Sequence, residues 1–279
     1  MKTRAITGFF FIIVMIGSFL LGYQVFSAFY LLLSCFGLYE FYSLIKKDTA
    51  APNIIAGIIS AVLLYSGIAL LNYAGAFAAP AFNIHSTAYI LLFLFVLGIS
   101  LVFIMELFKI SVAPFANIAF TIMGLVFVVV PFTFFHALAY INKDFSTHIP
   151  LGFLLMLWAN DTGAYLVGMS IGRTKLFERH SPKKTWEGFI GGMVISAGVG
   201  YIISLYFPEL DWKQWVSVGI LISCFGTLGD LVESMFKRSI NIKDSGSILP
   251  GHGGLLDRFD GLLMAAPIVY TYLYFVVNV

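Results

Sequence analysis

Long apolar runs separated by short polar clusters extend from one end of this sequence to the other. A spanning helix needs about 20 mainly apolar residues. Nine runs meet that need, roughly 5–21, 25–45, 54–71, 87–107, 112–139, 149–171, 188–207, 215–231 and 262–277. The runs are continuous rather than alternating, which argues against a membrane β-barrel with its period of two. The pattern predicts an all-α polytopic integral membrane protein of about nine transmembrane helices. No linker or composition shift divides the chain. Residues 1–150, with about five spans, and 151–279, with the polar motifs, are therefore expected to belong to one membrane domain.

Composition strengthens this picture. The 279 residues are 60% hydrophobic and 11% charged, whereas soluble domains are about one quarter charged. Lys2 and Arg4 precede the first run as in a secretory signal, but no clear small-x-small cleavage site follows and a second span comes at once. The first helix is expected to be retained. Cys35 and Cys224 both fall inside spans, as ordinary buried thiols do. The sequence carries no heptads, no repeats of 20–50 residues and no Rossmann or Walker glycine pattern.

Charge sets an orientation. With a cytoplasmic N-terminus, nine spans put the loops near 46–53, 106–111, 172–187 and 232–261 inside. Of the 16 Lys and Arg residues, all but Lys143 and Lys213 then lie inside, 14 against 2. That is the bias of the positive-inside rule. The C-terminus is expected outside.

Polar chemistry enters in three stretches of the C-terminal half. In Trp158-Ala159-Asn160-Asp161-Thr162-Gly163-Ala164-Tyr165, Asp161 sits well inside a span, where a carboxylate is costly unless it faces a polar cavity or partner. Ser181-Pro182-Lys183-Lys184-Thr185-Trp186-Glu187-Gly188 leads into the seventh span. Ser181 or Thr185 is expected to cap that helix, with Pro182 in a first-turn position. Lysines at a helix start oppose the dipole unless an anion is bound there, so the stretch reads either as a phosphate site or as a topogenic basic loop.

The third stretch runs from Gly229 to Gly261. Asp230, Glu233 and Lys237 share one helical face, as they would in a salt-bridged helix end. After Lys243 and Asp244 come Pro250-Gly251-His252-Gly253-Gly254 and Asp257-Arg258-Phe259-Asp260-Gly261. Glycines let backbone approach an anion closely, and carboxylates beside Lys and Arg suit a magnesium-bound triphosphate. His252 is either a phosphate donor or structural, because a phosphate nucleophile is already ionised and needs no base. His85, His136, His148 and His180 make no metal spacing.

The run Ser234-Met235-Phe236-Lys237-Arg238, then Lys243-Asp244, then Leu249-Pro250-Gly251-His252-Gly253-Gly254-Leu255-Leu256-Asp257-Arg258-Phe259-Asp260 resembles the signature of phosphatidate cytidylyltransferases, or CDP-diacylglycerol synthases. The two earlier stretches are similar to that family's pattern in the same order, so the resemblance covers residues 158–261. It implies transfer of CMP from CTP to phosphatidic acid in phospholipid biosynthesis. It also implies magnesium, with the possibility of a second metal ion, and a homodimer in the lipid bilayer, without nucleic acid. The expected location is a cell membrane, the inner membrane in a bacterium, with the active site cytoplasmic.

By the resemblance, Asp230, Asp257 and Asp260 would lie at the metal site, and Asp161, Lys183, Lys184, Lys237 and Arg258 would act beside it. Ser181, Arg238, Lys243, Gly251, His252, Gly253 and Gly254 would bind substrate. Two other functions stay open. Asp161 inside a span is compatible with an ion-coupled transporter, although polar residues clustered at one face favour an interfacial enzyme. A CTP-dependent polyprenol or phytol kinase would share much of the chemistry but give a different product. Asp257, Asp260 and Gly261 open a CDP-alcohol phosphotransferase motif, yet Leu262-Leu263 follows where that family has Ala-Arg.

Overall fold

The apolar runs fold as ten α-helices, with one short hairpin, in a computed structural model that describes residues 2–48, 50–76, 83–243, 245–246 and 253–278. The chain forms two compact units, Met1–Phe145 with Asp244–Leu256, and Ser146–Lys243 with Asp257–Val279. The first stretch of unit one ends at Phe145, and residues 244–256 belong with it. Side chains of that unit hold the segment: Glu40 accepts the Leu256 amide, and Leu255 and Leu256 lie against Gly37.

The first unit contains α1 (Lys2–Leu20), α2 (Tyr23–Asp48), α3 (Ile54–Ala76), α4 (Ile84–Leu107), α5 (Pro114–Gly124) and α6 (Val130–Leu138). Pro114 opens α5 at a position where its missing N–H costs nothing. A π-helical turn, Leu125–Val129, joins α5 to α6, so the expected span 112–139 is one interrupted helix. The widened turn comes just before Pro131, whose ring would clash with the carbonyl four residues back in a regular α-helix. Phe26, Tyr30, Phe132 and Phe135 form the buried aromatic core, and His136 shares a 2.8 Å hydrogen bond with Ser27.

The second unit contains α7 (His148–Ile171), β1 (Lys175–Phe177), β2 (Ser181–Thr185), α8 (Trp186–Ser204), α9 (Trp212–Ser239) and α10 (Leu256–Asn278, of which residues from Asp257 belong here). A full capping box starts α9. Asp211 accepts the Gln214 amide at 2.6 Å, and Gln214 accepts the Asp211 amide at 2.8 Å. Close approach of α7 and α8 depends on small residues, since a Cβ on Gly188 would press on the Ala164 carbonyl and one on Gly192 on that of Asn160. Successive helices run back and forth, which puts the hairpin, the end of α9 and the start of α10 at one end of the unit. At the other end Glu209 shares a hydrogen bond with His148. Burial alone would raise the Glu209 carboxyl, but hydrogen bonds from His148 and Ser146 hold it below the usual glutamate range.

Among the described residues, seven helical segments are long and apolar enough to cross a membrane. They match seven of the nine expected spans. The other two are helical as well, α1 over 19 residues and α7 over 24, the latter kept out of that set by its polar run at Asn160-Asp161-Thr162. On α4, Ile90, Phe93, Val96, Leu101 and Leu107 are exposed, a density of apolar surface expected for lipid rather than water. The molecule is an all-α polytopic membrane protein.

Candidate active site

The polar run of α7 splits by helical phase. Asn160 is buried and accepts the Ser223 hydroxyl of α9 at 2.6 Å, which ties the two helices together. Asp161, one residue on, points away from that contact and is exposed. It accepts from Asn160 Nδ2 at 3.3 Å.

After α7 the chain turns into the hairpin, where Lys175 pairs with Thr185 and Phe177 with Ser181. Of the two expected caps, Thr185 holds, while Ser181 and the first-turn position of Pro182 are corrected. Both residues lie on β2, as do Lys183 and Lys184, and α8 begins at Trp186. Thr185 is the cap, its hydroxyl accepting the Gly188 amide at 3.2 Å. Glu187 closes the hairpin by accepting the amides of Arg173 and Thr174, each at 3.1 Å.

The remaining side chains come from the crossing of α9 and α10. A Cβ on Gly229 would overlap the Asp260 carbonyl oxygen, and one on Gly226 would lie 3.8 Å from the Gly261 Cα. Backbone therefore packs on backbone, and the neighbouring carboxylates are brought together. Lys184 Nζ is 2.5 Å from Asp230 Oδ2, and Ser234 donates to Asp230 Oδ1 at 3.2 Å. Lys237 Nζ bridges Glu233 Oε2 and Asp257 Oδ1, both at 2.6 Å. Asp260 Oδ1 accepts the Gly261 amide at 2.7 Å.

Electrostatics link these pairs into one cluster. Asp161 interacts with both Lys184 and Asp230, while Asp260 interacts repulsively with Asp230, Glu233 and Asp161. Five carboxylates, Asp161, Asp230, Glu233, Asp257 and Asp260, thus share two ion-paired ammonium groups, Lys184 and Lys237. Glu233 is only 1% exposed. Removing one partner of such a buried pair typically costs about 3–5 kcal/mol, because the other charge is stranded.

Hard carboxylate oxygens with an acidic balance suit a divalent cation such as magnesium. The expected trio Asp230, Asp257 and Asp260 is nevertheless not gathered as ligands. Among the described residues no three His, Cys, Asp or Glu side chains stand in ligating positions. The cause is visible in the pairing, since Asp230 is turned onto Lys184 and Asp257 onto Lys237.

The other expected residues are less gathered. Lys183 is exposed on β2, next to Lys184 but on the opposite strand face. Arg238 donates to the Ile242 carbonyl at 3.1 Å, which caps the end of α9. Lys243 and Arg258 are exposed, and Ser181 is partly buried. Gly253 takes φ +82°, a conformation that glycine adopts without strain, and Gly254 is buried. Gly251 and His252 lie outside the described residues.

Glu233 lies outside the expected set of site residues, although its i, i+4 spacing to Lys237 is legible in the sequence. The partnership of Ser223 with Asn160, 63 residues apart, leaves no such trace.

Fold and site together define a polytopic helical membrane protein with a charged cluster at one end of its second unit. A model of the Cytidylyltransferase family matches residues 2–276, and the chain belongs to that family. It is 45% identical over 157 residues to a phosphatidate cytidylyltransferase of Staphylococcus aureus (strain COL), covering 56% of this chain and 58% of that protein. Over the same shares it is 44% identical to the one from Staphylococcus haemolyticus and 41% to the one from Staphylococcus saprophyticus. The matched stretch thus spans under two thirds of the length of these relatives.

Proposed function

We propose that this protein transfers CMP from CTP to phosphatidic acid, giving CDP-diacylglycerol and pyrophosphate. Family membership and the names of the relatives support the reaction class. The observation that carries the assignment to a site is the cluster in which Lys184 meets Asp230 while the charges of Asp230 and Asp161 both act on Asp260.

In the reaction, a phosphatidate oxygen forms a bond to the α-phosphorus of CTP as the bond to pyrophosphate breaks. The attacking oxygen is already ionised, so positioning and charge stabilisation supply the catalysis. Lys184 and Lys237 would offset charge on the transferring and leaving phosphates, each held in place by its carboxylate partners. Asp230 and Asp260 would hold magnesium, with Asp257 joining them if it leaves Lys237; the ion, when bound, neutralises triphosphate charge. Lys183 and Arg258, both exposed, would meet substrate phosphates from outside the cluster.

We place this end of the second unit at the cytoplasmic face. Arg173, Lys175, Arg179, Lys183, Lys184, Lys237, Arg238 and Lys243 all flank it, whereas Lys213 lies at the opposite end. CTP would then arrive from water and phosphatidate sideways from the membrane. Purified protein given magnesium, phosphatidate and CTP in detergent is expected to form a lipid with the mass of CDP-diacylglycerol. A phosphorylated lipid alcohol with release of CDP would instead identify a kinase.

A further inference from the structure

The turn between α4 and α5 is built inside out. Phe108 is 82% exposed and Phe115 77%, while Ile110 and Val112 are bare over their whole surface. The polar side chains of the same stretch turn inward instead. Glu106 and Asn117 are both buried. Asn117 Nδ2 donates to Glu106 Oε1 and, at 2.8 Å, to Ser111 Oγ, which also accepts the Ala113 amide at 3.3 Å. Lys109 Nζ folds back onto Glu106 Oε2 and the Ala51 carbonyl, each at 3.4 Å. Asn117 Oδ1 accepts the Ala51 amide at 2.7 Å, so the same knot ties down the turn between α2 and α3.

A turn in water does the reverse, showing polar side chains and hiding apolar ones. Here the one cation between Glu106 and Phe115 is neutralised by a carboxylate a helical turn back. The apolar surface is also continuous with that of α4, where Leu101, Ile104 and Leu107 are exposed. Polar His85, Ser86 and Thr87 stand at the start of α4, just before Tyr89. From Tyr89 to Leu107 the helix rises about 27 Å, at about 1.5 Å per residue, which nearly fills a hydrocarbon core about 30 Å thick. The turn therefore comes where hydrocarbon gives way to headgroups. Non-helical backbone needs water or headgroups as partners, which favours that boundary over any deeper position.

We propose that residues 108–115 are a membrane-surface anchor, with Phe108, Ile110, Val112 and Phe115 seated in the headgroup boundary of the leaflet at the C-terminal end of α4. Apolar side chains held this way enter the boundary by about 5–10 Å. The occupant of this surface is lipid, whatever reaction the protein performs.

The test uses full-length protein in phosphatidylcholine nanodiscs, where both faces of the bilayer meet water. In a background lacking Cys35 and Cys224, single cysteines carry an environment-sensitive fluorophore. Ile110→Cys and Val112→Cys report on the turn, and their complete exposure means that the replacement disturbs no packing. Phe93→Cys, on the exposed face of α4, reports on hydrocarbon, and Lys175→Cys, exposed on β1, reports on water.

At 110 and 112, a nitroxide high on the lipid acyl chain is expected to quench at least about twofold more than one near the chain end, with the order reversed at 93. Iodide in the water should quench the turn at least about fivefold less than it quenches the label at 175. Iodide quenching equal to that at 175 would put the turn in water and overturn the proposal. Quenching by neither iodide nor the lipid nitroxides would mean that protein covers the turn, a second copy of this chain included, and would overturn it equally.

Discussion

Gly229 of α9 lies directly against the carbonyl oxygen of Asp260 on α10, with no room for a Cβ between them. This backbone contact sets Asp230, the next residue along α9, close enough to Asp260 for their carboxylates to repel each other. Helix separation at one glycine is thus tied to the spacing of two charged groups. The consequence is testable at the glycine itself.

Gly229→Ala must push the helices apart or tilt them, and an activity loss of at least about tenfold, or about 1.4 kcal/mol, is expected with helical content unchanged. Gly198→Ala on α8 is the control, since a Cβ there meets nothing within 4 Å. Full activity in Gly229→Ala would mean that the crossing does not set the site.

Asn at Asp230 or Asp260 preserves size and removes a charge. Each change is expected to lower activity at least about 100-fold, or about 2.7 kcal/mol, with a raised magnesium requirement. Asp257→Asn should also be harmful, but through Lys237, which it holds at 2.6 Å. Asp144, exposed in the first unit, should tolerate the same substitution. Near wild-type rates in folded Asp230→Asn and Asp260→Asn would remove these residues from the chemistry.

Lys183 and Lys184 are neighbours in sequence but face opposite sides of β2, and Lys184 is the one paired with Asp230. Steady-state kinetics should separate them. Lys184→Met is expected to lower kcat about 100-fold, while Lys183→Met should raise the KM for CTP by about tenfold or less and leave kcat nearly intact. Equal effects on kcat would contradict the assigned roles.

How much of this was readable in advance depended on the range of the interaction. The spans followed from apolar length, and the Glu233–Lys237 pair from helical spacing. The hairpin leaves no signal because Ser181-Pro182 resembles a helix cap with proline in the first turn, whereas Thr185, the other expected cap, performs that role four residues later. A strand as short and polar as Lys183-Lys184-Thr185 has no alternating pattern to betray it. Lys184 with Asp230, and Glu40 with Leu256, depend on helices meeting in space, which a single sequence does not encode locally. Candidate ligands were legible as residue types, but their pairing with lysines was not.

Orientation can be checked at two exposed lysines, Lys175 on the hairpin and Lys213 at the opposite end of the second unit. Single cysteines at these positions, in a background lacking Cys35 and Cys224, should differ in intact cells. An impermeant thiol reagent added outside is expected to label the site at 213 and spare that at 175. The reverse pattern would place the charged cluster outside and exclude use of cytoplasmic CTP.

The most direct test follows the two ends of the triphosphate separately. Protein with magnesium and phosphatidic acid is given CTP labelled at the α-phosphate in one reaction and at the γ-phosphate in another. Cytidylyl transfer predicts α label in the lipid phase and γ label in water as pyrophosphate, with both signals lost together in Asp260→Asn. Label from the γ-phosphate in lipid, with α label remaining in water as CDP, would contradict the account.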